Sequence, residues 1–329
     1  MTEPGIVEEV RGDVVEARHR IHAVVVRTAD GTVVASCGNP QFLTVLRSAA
    51  KPFQALASVR DGVLEKFGLE DRHLAVACAS HDGTLAHTDT VAELLQRSGV
   101  PVGALRPRGL HQPLSASAAH GLAIAGRLPG VFEHNCSGNH ALFLAREALL
   151  GRSLADYLDP HGPAQAEATA ATAAAFGHAL TDAADRCGMR AYALPLDVLA
   201  RGYGALAAGS LPEPWRAAGA RVRDAMRAAP EMVSGPGSFD TLALARPGVV
   251  CKQGALGVFC AGSSLTGLAG ALKVEDGGSD AMRAAAPALL ARIGVDLTPE
   301  IAAFANKPIL DGGGLPVGFW QSSILIASA

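Results

Sequence analysis

The segments with β-strand character lie at the two ends of this 329-residue chain, and a long helical stretch separates them. Within residues 19–35, two β-rich runs flank the sequence ADG at 29–31, a typical hairpin turn. The middle is mostly helical from residue 88 to about 228, most clearly in the alanine-rich stretch 164–180. Strand-like runs return after residue 236. This order predicts an α/β (α+β) fold, in which the N- and C-terminal segments form one antiparallel sheet flanked by helices, with an inserted, mainly helical subdomain.

The same patterns give finer expectations. The first regular helix should begin between Ala49 and Pro52, because proline is tolerated only in the first turn of a helix. The remaining predictions are β-like runs near 241–246, 248–252 and 256–275, a helix over 279–295 closed by Gly294, an α/β subdomain over 1–60 and 231–329, and a mainly helical subdomain over 61–230.

Charge and hydropathy argue against several classes of protein. The formal net charge is -3, and no cluster of Lys and Arg supplies the basic face that nucleic-acid binding needs. No apolar run reaches the roughly 18 residues of a membrane span. The acidic start, MTEPGIVEEV, lacks the pattern of a signal peptide. We therefore expect a cytoplasmic protein with no nucleic-acid or membrane partner, whose six cysteines are buried thiols rather than disulfides.

Ser48-Ala49-Ala50-Lys51 is an S-x-x-K sequence at a predicted helix start. At this spacing the serine and lysine side chains share one helix face, about 5–6 Å apart at Cβ, so the amine can reach the hydroxyl. A serine becomes nucleophilic when a base takes its proton, and a lysine can be that base only as the neutral amine. The alternative is a helix N-cap followed by a surface lysine. Only five of the 28 basic residues are lysine, which favours a role that arginine cannot fill.

Four other segments have both a chemical and a structural interpretation. Ser80 and His81 end an apolar run, so they lie at the mouth of a core or cap the next helix. Lys252, within an apolar run, either reaches the surface at a strand edge or points into a site. Residues 134–140, HNCSGNH, could supply metal ligands, although their spacing matches no common zinc pattern, or form a polar turn. Residues 311–314, DGGG, are a structural turn or part of the site.

Taken together, these segments resemble the asparaginase II family of serine–lysine amidohydrolases. The resemblance extends over nearly the whole chain in nine blocks, which are RGDVVEARHR (11–20), RSAAKPFQ (47–54), CASHDGTLAH (78–87), HNCSGNHA (134–141), YLDP (157–160), ALPLD (193–197), PEMVSGPGSFDT (230–241), CKQGALGV (251–258) and LKVEDG (272–277). The family is similar in fold to serine β-lactamases, penicillin-binding proteins and serine-dependent glutaminases. Its members hydrolyse the side-chain amide of L-asparagine.

The resemblance implies an active site with two serine–lysine pairs. These are Ser48 with Lys51 and Ser80 with Lys252, and Ser48 would form an acyl-enzyme with a small-molecule amide substrate. It also implies a homodimer. The substrate-binding residues that it implies are Arg47, His81, His134, Asn135, Ser137, Gly138 and Asp240.

The chain departs from the family at the metal site. Family members hold a zinc with two cysteines and a lysine; the cysteines correspond to Cys136 and Cys187, but Asn139 replaces the lysine. An amide oxygen is a poor zinc ligand beside an amine or a thiolate. We therefore expect zinc binding to be weak or absent unless His134 or His140 moves in, and we expect no cofactor to be required.

Other departures fall in the same blocks, while both serine–lysine pairs are retained. They are Asp82, Arg186, Arg190, Ser238 and Leu256. This pattern favours an asparaginase-like amidohydrolase acting on L-asparagine or a related amide. The alternatives are a divergent amidase, esterase or acyltransferase acting on a larger substrate, and a non-catalytic ligand-binding protein.

Overall fold

The protein is described by a computed structural model that covers residues 3–109, 111–324 and 326–328. The chain divides into two compact units, and each is made of separate stretches of sequence. Unit 1 contains residues 1–49, 193–210 and 242–329, and unit 2 contains residues 50–192 and 211–241. These boundaries differ from the predicted ones chiefly at 193–210, a stretch inside the predicted helical subdomain that belongs with the sheet.

Strands and helices follow one another in an order close to the predicted one. The strands are β1 (Gly5–Arg11), β2 (Val14–Arg27), β3 (Val33–Cys37), β4 (Leu43–Val45), β5 (Thr181–Ala184), β6 (Arg190–Pro195), β7 (Val249–Gly254), β8 (Val258–Ser263), β9 (Leu268–Val274), β10 (Pro308–Leu310), β11 (Pro316–Ser322) and β12 (Ala327–Ser328). The α-helices are α1 (Lys51–Gln54), α2 (Leu56–Arg60), α3 (Val63–Phe67), α4 (Asp71–Ala77), α5 (Leu85–Arg97), α6 (Ala116–Ile124), α7 (Ser137–Leu149), α8 (Pro163–Phe176), α9 (Leu196–Ala208), α10 (Arg216–Ala228), α11 (Pro230–Val233), α12 (Phe239–Leu244), α13 (Ser279–Arg292) and α14 (Pro299–Ala302). In the described part of the chain, none of the helices combines the length and the apolar character needed to cross a membrane.

Unit 1 is built on one antiparallel sheet that joins the two ends of the chain. Its strand order is β10-β11-β1-β2-β9-β8-β7, and β3 pairs with both β2 and β12. Strands β2 and β3 are joined by the hairpin predicted at 29–31. Strand β2 also pairs with β1 and with β9, the latter in the register Val24↔Ala271. The prediction of one antiparallel sheet formed by the N- and C-terminal segments is therefore confirmed.

Helices α9 and α13 pack against opposite faces of this sheet. Gly262 and Ala269 are paired across β8 and β9, so they share one face. A Cβ on Gly262 would lie 2.4 Å from the carbonyl oxygen of Tyr203 in α9, so this glycine lets the α9 backbone approach the sheet. Gly270, the next residue of β9, faces the other way, and there Leu289 of α13 fills the space. Both faces are thus covered, which explains the continuous apolar run in β2.

Unit 2 is mainly helical, as predicted. Helix α4 packs against α5, α7 and α10. Its closest approach to α7 is at Gly138, where a Cβ would lie only 2.2 Å from the carbonyl oxygen of Val76. Further along α7, the buried Arg146 forms ion pairs with Asp61 and Glu167, which compensate for the burial of its charge. The N-terminal turn of α7 is therefore fixed against the C-terminal end of α4.

Some local predictions are confirmed. Regular α-helix begins at Lys51, inside the predicted interval. The predicted helix over 279–295 is α13, and Gly294 follows its end with φ of +77°. The glycine-rich residues 311–314 form the turn between β10 and β11, where the Asp311 carboxylate accepts hydrogen bonds from the N–H groups of Gly313 and Leu315. These hydrogen bonds stabilise the conformation of the turn.

Two predictions about the late β-like runs are wrong in detail. The run near 241–246 was predicted as β-like, but it overlaps helix α12. The run over 256–275 is two strands, β8 and β9, divided at Gly267 with φ of +66°. Short apolar runs fit a buried helix as well as a strand, so their periodicity could not separate the two structures.

Candidate active site

The turn that carries Ser48 follows β4 in unit 1. The N–H of Ala49 donates to the carbonyl of Leu46 at 3.1 Å and closes the turn. Within it, Arg47 has φ of +51°, which is uncommon for a residue other than glycine. Ser48 itself is half-buried. Because such a conformation persists only where the surrounding structure holds it, the position of Ser48 depends on the contacts made by its neighbours.

Lys252 lies on the sheet face that this turn covers. It is 1% exposed on β7, and its Nζ donates to the carbonyl of Gln253 at 3.1 Å. Gly254 comes two residues later in β7 and therefore faces the same side of the sheet. A Cβ on Gly254 would lie 2.3 Å from the carbonyl oxygen of Leu46, so the turn packs directly against this face. Lys252 is thus buried beside the Ser48 turn and does not reach solvent at a strand edge.

Lys51 and Ser80 are brought together in unit 2. Lys51 is the first residue of α1 and is only 4% exposed. Its Nζ donates to the carbonyl of Ala79 and lies 3.3 Å from Ser80 Oγ and 3.2 Å from Cys136 Sγ. The structural alternative for the S-x-x-K sequence, a surface lysine after an N-cap, is therefore excluded. The amine lies within proton-transfer reach of the Ser80 hydroxyl.

The segment that carries Ser80 is held by the block at 230–241. The backbone N–H groups of Ser80 and Asp82 donate to the carbonyls of Val233 and Ser234, at 3.2 and 2.7 Å. A Cβ on Gly235 would lie 2.1 Å from a carboxylate oxygen of Asp82, so this glycine lets the two segments approach closely. The block therefore supports the position of Ser80 through its backbone.

His81 is a buried hydrogen-bond donor inside unit 2. Its Nδ1 accepts from the N–H of Gly83 at 3.1 Å, so Nε2 carries the proton and donates to Ser137 Oγ at 2.9 Å. Ser137 in turn donates to the carbonyl of Phe132. Burial lowers the pKa of His81 well below its ordinary value, and the neighbouring His87 acts in the same direction. The neutral His81 thus links the Ser80 segment to the first turn of α7.

Cys136 and Cys187 form a hydrogen-bonded pair of buried sulfurs. The hydrogen bond from Cys187 lowers the pKa of Cys136 well below its ordinary value, and the neighbouring Lys51 and His134 act in the same direction, against the opposing effect of burial. The same hydrogen bond, together with burial, raises the pKa of Cys187. The Cys187 thiol thus donates a hydrogen bond to the Cys136 sulfur at the N-terminal end of α7, and this bond favours the ionised form of Cys136.

The residues around these sulfurs do not fit the zinc site of the family. His134 accepts the N–H of Cys136 at Nδ1 and donates to the carbonyl of Arg108 through Nε2, so both nitrogens are already used. Asn139 donates to the carbonyl of Ala77, and its Oδ1 is a weak ligand. In the described residues, no three His, Cys, Asp or Glu side chains come together as a metal site. No catalytic step is therefore assigned to a metal.

The other predicted site residues are distributed over both units. Asn135 accepts the N–H of His81 through its carbonyl, at 3.2 Å. His140 is fully buried; its Nδ1 is hydrogen-bonded to the hydroxyl of Tyr157, its Nε2 has no hydrogen-bond partner, and burial lowers its pKa to about 3. Asp240 is fully buried in the first turn of α12. The substrate-binding roles of Arg47, His81, His134, Asn135, Ser137, Gly138 and Asp240 stay predictions.

Two groups beside the serines were not singled out from the sequence. One is the carbonyl of Ala79, which accepts from Lys51; a backbone acceptor leaves no signal in the residue type. The other is the hydroxyl of Tyr203, which donates to the carbonyl of Ala49 at 2.7 Å. Its only sequence signal is a tyrosine between two glycines inside a helix, in RGYGALAAG at 201–209.

Comparison with known proteins gives one match over nearly the whole chain. The family model described as L-asparaginase II matches residues 7–321. Comparison with curated proteins gives no match.

Similar solved structures include Mglu in its Tris and glutamate form, at 16% identity with a TM-score of 0.43, covering 89% of this chain. This chain spans only 64% of the Mglu chain. A penicillin-binding protein homologue from Caulobacter crescentus shows 14% identity and a TM-score of 0.35, covering 79% of this chain and 87% of its own. A putative β-lactamase from Bacteroides dorei shows 14% identity and a TM-score of 0.36, covering 88% and 94%. These TM-scores lie below 0.5, so the family assignment depends on the family model.

Proposed function

The chain belongs to the L-asparaginase II family of amidohydrolases, and from this premise we propose that it cleaves a side-chain amide through a serine acyl-enzyme. The substrate is L-asparagine or a related amide, and the products are the carboxylic acid and ammonia. Ser48 is the nucleophile and Lys51 the base. Ser80 and Lys252 form the second serine–lysine pair.

The environment of Lys51 is the observation that supports this proposal most. An amine that is 4% exposed, with a serine hydroxyl at 3.3 Å and a backbone carbonyl as a further acceptor, is held in one place inside unit 2. A lysine is seldom buried without a partner carboxylate. Here its contacts are the carbonyl of Ala79, the hydroxyl of Ser80 and the sulfur of Cys136, of which the last two can receive or return a proton.

The chemistry proceeds in two halves. Ser48 Oγ attacks the amide carbon while the neutral Lys51 amine accepts its proton. Ser80 receives that proton from Lys51 and delivers it to the departing nitrogen, so ammonia leaves as an ester forms on Ser48. Water then attacks the ester, and the same groups carry its proton back to Ser48 Oγ as the acid is released. Backbone N–H groups at the start of the helix stabilise the oxyanion.

Ammonia release tests the substrate, and a serine variant tests the nucleophile. Asparagine, glutamine, β-aspartyl amides and peptide amides are assayed at millimolar concentration, with and without added zinc. We expect ammonia from asparagine or a related amide, and Ser48→Ala should abolish it without unfolding the protein. The matched control is Ser58→Ala, which makes the same change at a buried serine of α2 and should keep full activity.

A covalent readout identifies the attacked residue directly. Incubation with p-nitrophenyl acetate should add one acetyl group, found on Ser48 by intact mass and peptide mapping. Wild-type activity in Ser48→Ala, or an adduct on Ser80, would move the nucleophile to Ser80. No adduct and no ammonia would favour the non-catalytic alternative. The predicted homodimer is a separate matter that sedimentation measures.

One observation favours a second candidate, an amidase, esterase or acyltransferase acting on a larger substrate. Leu256, where the family has an acidic residue, is 55% exposed and has φ of +62° in the turn after β7. Its backbone is anchored by Lys273, whose Nζ donates to its carbonyl at 2.7 Å. An exposed apolar side chain two residues beyond Gly254 suits a substrate with an apolar substituent. Acylation of Ser48 without ammonia release from free amino-acid amides would support this candidate.

A further inference from the structure

The turn that carries Ser48 needs support from outside itself. A non-glycine residue in the left-handed region is strained, because its Cβ lies close to the following carbonyl oxygen, so the Arg47 conformation is not one the turn would adopt alone. The internal hydrogen bond from the N–H of Ala49 to the carbonyl of Leu46 fixes the peptide between Ser48 and Ala49, but not the next peptide, whose carbonyl belongs to Ala49. What fixes this second peptide therefore limits how far the backbone on the C-terminal side of Ser48, and with it the Ser48 hydroxyl, can move.

Two contacts within unit 1 provide this support. On one side, the backbone of Leu46 lies against Gly254 of β7, at a distance that leaves no room for a side chain. On the other side, the hydroxyl of Tyr203 donates to the carbonyl of Ala49 at 2.7 Å. Both tyrosine and acceptor are completely buried, so water cannot replace this hydrogen bond.

Tyr203 is itself seated with little freedom. Its carbonyl oxygen lies against Gly262 of β8, where a Cβ would be 2.4 Å away. The next residue, Gly204, lies against Thr28 and Ala269, with a Cβ position only 2.6 Å from the Thr28 hydroxyl. Close approach at two successive residues fixes this turn of α9 on the sheet. The Tyr203 side chain therefore holds the Ser48 turn at a fixed position relative to the sheet.

We propose that Tyr203 is a positioning residue for the Ser48 nucleophile, a role that rests on the proposed function. By holding the Ala49 carbonyl, it fixes the peptide between Ala49 and Ala50 and so restricts the backbone on the C-terminal side of Ser48, which positions the Ser48 hydroxyl. The hydroxyl of Tyr203 does not touch the substrate. Its removal should slow the attack by Ser48 and leave substrate binding nearly unchanged.

The test compares Tyr203→Phe with Tyr192→Phe. Both variants remove one hydroxyl from a fully buried tyrosine; that of Tyr192 is hydrogen-bonded to Thr169 of α8 at 2.9 Å. The rate of acetylation of Ser48 by p-nitrophenyl acetate is followed by intact mass, together with kcat, KM and the melting temperature. Tyr203→Phe should lower the acetylation rate and kcat about tenfold with KM changed less than about twofold. Tyr192→Phe should lower only the melting temperature.

The outcomes separate this inference from the proposed function. If wild-type protein is not acetylated at Ser48, the proposed function fails. If wild type is acetylated and Tyr203→Phe reacts within about twofold of its rate, the proposed function stands and the positioning role is wrong. An equal loss of rate in Tyr192→Phe would also overturn it, because the effect would then follow stability alone. Should Tyr203→Phe fail to fold, Tyr203→Met, which fills the space flexibly without a hydroxyl, gives the same readout.

Discussion

Asn139 sits in the first turn of α7, three residues after Cys136, where the family has its third zinc ligand. It is fully buried, and its Oδ1 has no hydrogen-bond partner while its Nδ2 donates to the carbonyl of Ala77. The two sulfurs are in place, so a single amine is what the site lacks. We expect Asn139→Lys to bind zinc roughly tenfold or more tightly than the wild type, because an amine is a better ligand than an amide oxygen.

Metal content after dialysis and the thiolate absorption of the Co²⁺ form measure this change. Asn139→Leu is the control, since it removes the amide without adding a ligand, and it should bind no more zinc than the wild type. One zinc per wild-type chain that survives dialysis would contradict the prediction and show that Cys136 and Cys187 find their remaining ligands elsewhere.

At this scale the sequence identified residue types better than their contacts. The residue pattern left open whether Lys51 and Lys252 reach the surface or point inward, and both are buried. The resemblance pairs Ser80 with Lys252, yet the contact found within unit 2 is between Ser80 and Lys51. Such contacts depend on how α1 and α4 pack, which the spacing of residues along the chain does not contain. The pairing of Ser48 with Lys51 and of Ser80 with Lys252 stays a prediction.

Among the elements, β7 is the one whose surface shape matters most for the Ser48 turn. Gly254→Ala places a methyl group where the Leu46 carbonyl now lies, so the turn must move away from the sheet. We expect kcat for p-nitrophenyl acetate to fall about a hundredfold, because small displacements of a nucleophile are costly. The free energy of unfolding should fall by about 1–3 kcal/mol, as in other overpacked sites. Enzyme kinetics and urea unfolding measure the two effects.

Gly121→Ala is the matched control for this variant. Gly121 lies in the exposed helix α6, where an added Cβ meets nothing within 4 Å. This change should leave kcat unaltered and raise the free energy of unfolding by about 0.5–1 kcal/mol, since alanine is the better helix former. Full activity in Gly254→Ala would show that the turn does not depend on its contact with β7.

The elements at the ends of the chain were predictable because their patterns are long. The hairpin of β2 and β3 has a turn sequence, and helix α13 is followed by a glycine. Each element therefore has a boundary signal in addition to its hydrophobic periodicity. Helix α12 was not predictable, because six apolar-rich residues carry no period. Helix α9 was expected to be helical, but its membership of the sheet unit depends on Gly204 and Gly262, whose role appears only on packing.

For the molecule as a whole, buried neutral histidines should make stability sensitive to mild acid. Burial is the largest cause that lowers the pKa of five of them, which are His22, His73, His81, His87 and His140. The unfolded chain binds protons at these sites below about pH 6.5, while the folded protein binds them only at lower pH, so stability is present above pH 6.5 and is lost as the pH falls. Each histidine can lower the free energy of unfolding by up to about 1.4 kcal/mol for each unit by which the pH falls.

Urea unfolding between pH 8 and pH 5 measures this dependence. The free energy of unfolding should be nearly constant above pH 7 and then fall steeply, with several protons taken up on unfolding. His87→Gln should reduce the uptake by about one proton, because it removes one of the five sites. A free energy that stays constant down to pH 5 would mean that these histidines are protonated in the folded protein as well.

The sheet of unit 1 is assembled from the two ends of the chain, and its strand β2 pairs with β9 nearly 250 positions later. When β2 has left the ribosome, its run of valines is therefore exposed, because strand β9, which pairs with one edge of β2, has not yet been synthesised. Synthesis at roughly 5–20 residues per second leaves that edge open for tens of seconds. An unpaired apolar strand is a template for joining other chains. Nascent chains of this protein should accordingly need to bind chaperones until translation is nearly complete. Aggregation should start on polysomes, where several nascent chains lie close together.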